Sequence, residues 1–264
     1  MDENRTRWPL KLAVLLLFAF LLVPVLVVLP LSFSGESNLR FPPTSWGTRW
    51  YLAILGHERM LNGFRNSLIL ASAVTAITLL VTLPAAYAIV RLKIRGAAAL
   101  YNLFTAPLLL PTIVLGLAVL IVFAPRGLLG TYTGLVLGHL VLTLPFAMRI
   151  LATALAGLAV PVEEAAATLG APPFTVFRRI TLPLITPGLV SAGAISFLVS
   201  FDELVITLFL AGPRVSTLPY EMYRHLDSRA DPLIAAVAVL LIALTMLVVL
   251  IVHRTVGLTR GFVR

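Results

Sequence analysis

Long apolar runs separated by short basic or polar stretches dominate this 264-residue chain. A helix needs about 20 apolar residues to cross the ~30 Å hydrocarbon core of a bilayer. The pattern therefore predicts an all-α integral membrane protein that forms a single domain over residues 1–264. Its six transmembrane helices are predicted at residues 12–31, 66–90, 103–124, 132–148, 184–211 and 232–252.

The first run, residues 12–31, has a competing interpretation as a secretory signal peptide. Such a peptide has an apolar core of only ~7–15 residues before a cleavage site of the A-x-A kind. The run here is longer, and its exit at residues 32–35, SFSG, matches that site poorly. We therefore expect an uncleaved first span, followed by a polar loop whose aromatic residues suit the membrane interface.

Small residues recur every four positions along the fifth predicted span, at Gly188, Ala192, Ser196 and Ser200. Small side chains on one helix face let another helix pack closely against it. The third predicted span is less regular, because Pro107 and Pro111 lie inside it. Prolines in a span are tolerated where neighbouring helices cover the break.

Composition supports the membrane assignment. Hydrophobic residues make up 59% of the chain and charged residues 12%, with a mean hydropathy of +1.02. Soluble domains have roughly 45–50% apolar and about 25% charged residues. The net charge of +9 does not indicate nucleic-acid binding, because the basic residues punctuate the apolar runs instead of forming one face.

Cysteine and histidine usage narrows the chemistry further. The chain has no cysteine, which excludes disulfides, thiol catalysis and thiolate metal sites. Its four histidines are far apart without the spacing of metal ligands, at His57, His139, His225 and His253. We predict no catalytic residue, no cofactor and no metal site, and we expect His139 to be a buried core residue.

Lysine and arginine residues set the expected orientation. Cytoplasmic loops carry an excess of them, and six spans place both termini on one side. One side receives Arg5, Arg7, Lys11, Arg91, Lys93, Arg95, Arg149, Arg178, Arg179, Arg254, Arg260 and Arg264. The other side receives Arg40, Arg49, Arg59, Arg65, Arg126, Arg214, Arg224 and Arg229. This excess predicts cytoplasmic termini and a cytoplasmic loop before the fifth span.

That loop contains residues 163–183, EEAAATLGAPPFTVFRRITLP. Its two initial glutamates suit the positive end of a helix dipole, and the alanines that follow are strong helix formers. Gly170 is a permissive helix terminator, and Pro172-Pro173 cannot continue the helix. The pattern therefore predicts a first short helix that ends at Gly170.

A second short helix is expected over Phe174–Ile180, with Phe174, Phe177 and Ile180 on one face. Leu182-Pro183 is then expected to redirect the chain into the fifth span. We interpret the segment as a compact helix–turn–helix at the membrane surface, offered to a cytoplasmic partner. The alternative is a plain cytoplasmic linker.

The segment resembles the EAA signature of ABC importer permeases, and every signature position is filled. The match reads Glu164-Ala165-Ala166, three residues, Gly170, nine residues, Ile180, one residue and Leu182-Pro183. The six-span plan and Asn66-Ser67-Leu68 at the start of the second span are also similar to these permeases. The resemblance covers nearly the whole chain and implies the type I ABC importer permease fold.

In that family the loop, here residues 157–183, is a coupling helix that sits in a groove of the cytoplasmic ATPase. The resemblance implies that docking residues are Glu163, Glu164, Ala165, Ala166, Gly170, Ile180, Leu182 and Pro183. It also implies an ABC ATPase dimer, a periplasmic solute-binding protein and a second, related but distinct permease subunit as partners. The expected location is the bacterial inner membrane.

The chain cannot be the ATPase itself. A P-loop needs a lysine directly after a glycine to bind the phosphates. Only two lysines are present, Lys11 and Lys93, and neither follows a glycine. Energy must therefore come from a partner or from an ion gradient.

Asp202 and Glu203 are an acidic pair inside the fifth predicted span. Charged residues at membrane depth usually face a cavity or a partner. Together with Phe201, the pair is a candidate wall of the substrate path that attracts cations. The alternative is that the helix ends at Phe201 and the pair caps it at the outer interface.

The run at 201–207, with Gly212-Pro213 and Thr217-Leu218-Pro219, is similar to the spermidine/putrescine branch of the family. A cationic substrate suits the acidic pair, although Arg214, Arg224 and Arg229 in the adjacent loop oppose it. Our first hypothesis is thus a permease subunit that forms half of the pathway of an ATP-driven importer, with a polyamine as substrate. The others are an ion-coupled secondary transporter, which usually shows internal repeats, and a membrane scaffold without transport.

Overall fold

The computed structural model describes residues 3–92, 94–213 and 215–256. Within these ranges the chain is helical, with two isolated β-bridges and no strand. Of the basic residues counted above, Lys93, Arg214, Arg260 and Arg264 lie outside the described residues. The α-helices are α1 (Glu3–Ser32), α2 (Arg49–Leu55), α3 (Glu58–Val90), α4 (Ala97–Thr105), α5 (Thr112–Phe123), α6 (Tyr132–Ala156), α7 (Val160–Thr168), α8 (Pro173–Val176), α9 (Leu182–Phe201), α10 (Val205–Leu210), α11 (Leu218–Ser228) and α12 (Leu233–Val256).

Five helical stretches of the described chain are long and apolar enough to cross a membrane. They are Leu10–Ser32, Glu58–Val90, Tyr132–Ala156, Pro173–Phe201 and Leu233–Arg254. A sixth crossing exists if the bent pair Ala97–Leu109 and Thr112–Arg126 forms one span. The predicted all-helical membrane architecture is confirmed.

The third predicted span, residues 103–124, is wrong as a single helix. The helical stretches on either side of Leu110 and Pro111 meet at 108°. Leu110 has an extended backbone, with ψ 142°, because the residue before a proline is driven out of the helical region. Pro111 also lacks the N–H that a continuous helix would need.

The fifth predicted span, residues 184–211, is wrong at both ends. The long helix begins at Pro173 and stops at Phe201, and α10 is a separate short helix. At its start, residues Phe177–Thr181 form a π-helical turn in which the Leu182 N–H donates to the Phe177 carbonyl. This wider turn precedes Pro183, which has no N–H, so the helix runs through Pro183 and is not redirected there.

The chain divides into two compact units. The first comprises the described parts of residues 1–61 and 222–244. Its α1 exposes apolar side chains from Leu10 to Leu29, as a lipid-facing helix does. Its polar loop is held by Glu36, whose carboxylate accepts from the Thr44 hydroxyl and N–H. These hydrogen bonds hold the pKa of Glu36 below its usual value.

The second unit comprises the described parts of residues 62–221 and 245–264, and α6 contributes to both of its apolar clusters. The predicted ridge of small residues on α9 packs against α6. A Cβ added to Gly188 would lie 2.4 Å from the Ala154 Cβ. Further along α9, Ala192 and Ser196 are fully buried. The ridge therefore allows the close helix approach that the sequence predicts.

Candidate functional site

Helix α7 ends at Thr168, and Gly170 stops it two residues later, at the position that the sequence predicts. The Gly170 N–H donates to the Ala167 carbonyl at 2.9 Å, and the Ala171 N–H donates to the Ala166 carbonyl at 3.1 Å. This pair of bonds is the Schellman pattern, which needs a left-handed residue after the helix. Gly170 supplies it with a φ of +85°. The chain therefore turns sharply before α8.

Glu163 faces the interior of its unit. Its Oε2 lies 3.0 Å from Arg91 Nε, and its Oε1 accepts from the Thr181 hydroxyl. Arg91 Nη2 also donates to the Leu158 carbonyl at 2.7 Å. The Arg91 and Glu163 side chains are 10% and 13% exposed. A groove of about 540 Å³ borders the pair, with Tyr87 and Glu164 among its lining residues.

The rest of the α7 surface and the following turn are exposed. Glu164, Ala165 and Gly170 are exposed, and Ala166 is half-buried. Two large apolar side chains beside them have little cover, since Leu169 is 89% and Phe174 71% exposed. Sequence reasoning did not select Leu169. The pattern that could have identified it is a leucine directly before the helix-ending glycine of a polar loop.

The last three residues of the signature lie at the joint between the π-helical turn and α9. Ile180 and Leu182 are half-buried, and Pro183 is exposed. Between them, Thr181 is fully buried and holds Glu163. We call residues 157–183 the exposed segment. Ile180, Leu182 and Pro183 lie at its end, where the chain continues into the long helix.

The second predicted cluster lies at the far end of that helix. Phe201 is the last residue of α9 and is 4% exposed. Its ring stacks on Phe197 with the centroids 5.6 Å apart and meets Phe64 edge-on at 6.0 Å. Phe201 is therefore a packing residue within this unit.

Asp202 and Glu203 occupy the break between α9 and α10, and they differ from each other. Glu203 Oε1 accepts from the Ile206 N–H at 2.9 Å, so it caps the start of α10. Asp202 is exposed. Among the described residues, no group donates a hydrogen bond to its carboxylate. Of the two interpretations of the pair, the helix does end at Phe201, and only Asp202 is free to meet a ligand.

His139 of α6 contacts a residue on each side of this break, a contact that the sequence does not predict. Its Nδ1 lies 3.0 Å from the Ser200 hydroxyl, and its Nε2 lies 3.1 Å from the Thr207 hydroxyl. A neutral imidazole donates through one nitrogen and accepts through the other. His139 is fully buried, so it is the satisfied core residue that the sequence predicts. The described residues hold no cluster of three or more possible metal ligands.

The fold and the exposed segment, residues 157–183, which includes the start of the Pro173–Phe201 helix, define a class, the multi-pass helical subunit of a membrane transport system. A family comparison identifies it. The chain belongs to the family described as "Binding-protein-dependent transport system inner membrane component", which matches residues 79–257. It is therefore an inner-membrane permease component and a transport subunit, not an enzyme. Family membership favours this class over the ion-coupled secondary transporter and the scaffold.

Curated relatives match most of the chain. It is 34% identical over 249 residues to the putrescine transport system permease protein PotI of Escherichia coli K12, covering 89% of this chain and 86% of the relative. It is 27% identical over 234 residues to the spermidine/putrescine permease PotC of the same strain, covering 89% and 88%. It is also 36% identical over 195 residues to the molybdenum permease ModB of Mycobacterium bovis, covering 68% and 74%.

Solved structures share the fold. A chain of a bacterial ABC transporter involved in the import of the acidic polysaccharide alginate superposes with a TM-score of 0.68 at 18% identity, covering 99% of this chain and 98% of that one. A chain of the MetNI methionine ABC transporter, in inward-facing conformations, gives 0.63 at 21% identity, covering 75% and 94%. The predicted ABC importer permease fold is confirmed.

Proposed function

We propose that this chain is one of two permease subunits of an ATP-driven polyamine importer, with putrescine as the first substrate to test. The second permease is a related but distinct chain. A periplasmic binding protein delivers the solute, and a dimer of cytoplasmic ABC ATPases supplies the energy. The observation that carries the proposal is the 34% identity to a putrescine permease over 89% of the chain.

The free carboxylate of Asp202 supports a cationic substrate. The helix Pro173–Phe201 has 29 residues. At ~1.5 Å per residue it is roughly 43 Å long, more than the ~30 Å of hydrocarbon. Its two ends therefore reach opposite membrane surfaces, and Asp202 lies at the end away from the exposed segment. We place Asp202 at the periplasmic mouth of the pathway, where an incoming ammonium group gains from a negative charge.

The exposed segment supports ATPase docking. Glu164 and Ala165 share it with the exposed apolar side chains of Leu169 and Phe174. Apolar side chains surrounded by polar ones are typical of a contact surface for another protein. We place this segment, residues 157–183, and both termini in the cytoplasm, in agreement with the excess of basic residues on that side.

Uptake of radiolabelled putrescine into cells that express the complete transport system tests the substrate. We expect saturable uptake that unlabelled spermidine inhibits and molybdate does not. We expect Asp202→Asn to raise the KM for putrescine about tenfold, since it removes the charge but keeps the side chain's shape. Asp227→Asn is the matched control, because Asp227 is also exposed but lies on α11.

Two results would contradict the proposal. Uptake of molybdate without putrescine uptake would assign the chain to the substrate class of its molybdenum relative. Equal KM values for wild type, Asp202→Asn and Asp227→Asn would remove Asp202 from the substrate path.

A further inference from the structure

Glu163 joins three parts of its unit through one carboxylate. Its own helix, α7, carries the exposed segment. One oxygen meets Arg91, the residue directly after α3, and the other accepts a hydrogen bond from Thr181, the residue directly before α9. Two long membrane helices are thus held to α7 at the same side chain.

The Arg91–Glu163 contact is a short ion pair in an enclosed place. Arg91 Nε has no aligned hydrogen bond, so its 3.0 Å contact with Glu163 is mainly Coulombic. With both side chains almost covered, water and salt screen this attraction weakly. The Leu158 carbonyl accepts a bond from Arg91 Nη2 and fixes the guanidinium in place. Removing one partner would leave the other charge uncompensated.

Glu164, the next residue, is in the opposite situation. Its side chain is exposed, and among the described residues no hydrogen bond or ion pair holds it. Adjacent glutamates on one helix thus have different surroundings. The docking role inferred from the signature suits the outer glutamate and does not suit the inner one.

We infer that Glu163 is a positioning residue that transmits motion, tying α7 to α3 through Arg91 and to α9 through Thr181. A movement imposed on α7 is then passed to both long helices together. This inference rests on the proposed function, because it needs an ATPase bound to the exposed side of the segment. It predicts that breaking the tie uncouples transport from ATP hydrolysis while the ATPase stays bound.

The experiment compares Glu163→Gln, Arg91→Gln and the double variant with Glu164→Gln. Glu164→Gln makes the same chemical change one residue away. Each variant is expressed in the complete complex. The measurements are recovery of the ATPase with the tagged permease, basal ATP hydrolysis in liposomes, its stimulation by putrescine-loaded binding protein, and putrescine uptake.

For Glu163→Gln we expect wild-type recovery of the ATPase, unchanged basal hydrolysis, and a tenfold loss of both stimulation and uptake. Arg91→Gln should give at least the same losses, because it also removes the bond to the Leu158 carbonyl. The double variant should be no worse than Arg91→Gln, since both single variants remove the same ion pair. Glu164→Gln should instead lower ATPase recovery. A conservative Glu163→Asp variant should restore part of the stimulation, because it keeps the charge.

Three outcomes overturn the inference: wild-type stimulation in Glu163→Gln, losses that multiply in the double variant, or loss of ATPase recovery in Glu163→Gln equal to that in Glu164→Gln. Thermal unfolding of the purified complexes shows whether a variant has failed to fold. If Glu163→Gln does not fold, the inference is tested with Glu163→Asp, whose stimulation should lie between zero and the wild-type value. If the wild-type chain recovers no ATPase, the proposed function fails. If the wild-type chain recovers the ATPase and the Glu163 and Arg91 variants behave like it, the proposed function stands and only the inference about Glu163 fails.

Discussion

At its start the helix Pro173–Phe201 follows an exposed turn, whereas at its end it stops against a buried histidine. The turn before it is fixed by backbone bonds around Gly170 and leaves Leu169 and Phe174 uncovered. The break after it is fixed by long-range side-chain bonds from His139. Both are interruptions of helical structure. The turn at Gly170 is held by bonds between neighbouring residues, whereas the break after Phe201 depends on packing against a distant part of the chain.

The difference shows what each interruption can tolerate. A surface turn made of local bonds can be altered with little effect on the rest of the unit. A break held by a fully buried histidine cannot lose that side chain without leaving the buried Ser200 hydroxyl unpaired. Substitutions at the break should therefore reduce stability most, and substitutions at the turn should mainly reduce partner binding, with at most a small loss of stability.

The largest loss of stability is expected from His139→Ala. It leaves the buried Ser200 hydroxyl without a partner and opens a cavity, whereas the Thr207 hydroxyl keeps its bond to the Glu203 carbonyl. An unsatisfied buried polar group costs ~1–3 kcal/mol, so we expect the free energy of unfolding to fall by about 3 kcal/mol. The measurement is thermal unfolding in detergent, with His253→Ala on the exposed side of α12 as the control. Equal midpoints for the two variants would show that the break does not depend on His139.

Gly138→Val should have the next largest effect. A Cβ there would lie 2.4 Å from Leu210 Cδ1 and 3.0 Å from Ile206 Cγ2, so α10 would have to move. Overpacking of this kind costs about 1–3 kcal/mol, and we expect a loss of about 2 kcal/mol. Gly157→Ala is the control, since its new Cβ would meet atoms at ordinary contact distances. The same unfolding measurement applies, and a harmless Gly138→Val would mean that α10 packs loosely.

Gly170→Ala should cost less. Its backbone is left-handed, but nothing lies within 4 Å of an added Cβ. The conformational strain is about 1 kcal/mol for a residue with a side chain. We expect a small fall in the unfolding midpoint, faster proteolysis after α7 and reduced ATPase recovery. If Gly170→Ala lowers the midpoint as much as His139→Ala does, the turn is not a local structure.

Leu169→Ser should have the smallest effect on stability. Surface substitutions usually change the free energy of unfolding by less than ~0.5 kcal/mol. Because its side chain is the proposed apolar contact, we expect ATPase recovery to fall at least fivefold while the unfolding midpoint stays the same. Leu109→Ser, at a side chain that is also highly exposed, is the control. Full ATPase recovery with Leu169→Ser would show that the Leu169 side chain does not contribute to ATPase docking.

The sequence predicted features that depend on neighbouring residues. Gly170 and the two prolines after it predict the turn, because their backbone limits act locally. The four-residue spacing from Gly188 to Ser200 predicts that another helix packs closely on that face, but not that the helix is α6. The continuity through Pro183 was missed, because it depends on a π-helical turn that no residue pattern announces.

The break at Asp202 could be predicted only as one of two alternatives. Its position is set by His139, which lies 61 and 68 positions before the two hydroxyls that it contacts. Likewise, the inward direction of Glu163 depends on Arg91, far back along the chain. Such long-range pairs leave no periodic signal in one sequence. The different surroundings of Glu163 and Glu164 therefore become visible only in the folded structure.

The close approach of Gly188 to Ala154 gives the Pro173–Phe201 helix a fulcrum. Gly188 is about 22 Å from Pro173 and about 20 Å from Phe201 along the helix axis at ~1.5 Å per residue. The helix would therefore act as a lever with nearly equal arms. A push of a few ångströms on its Pro173 end would swing Asp202 by a similar amount in the opposite direction.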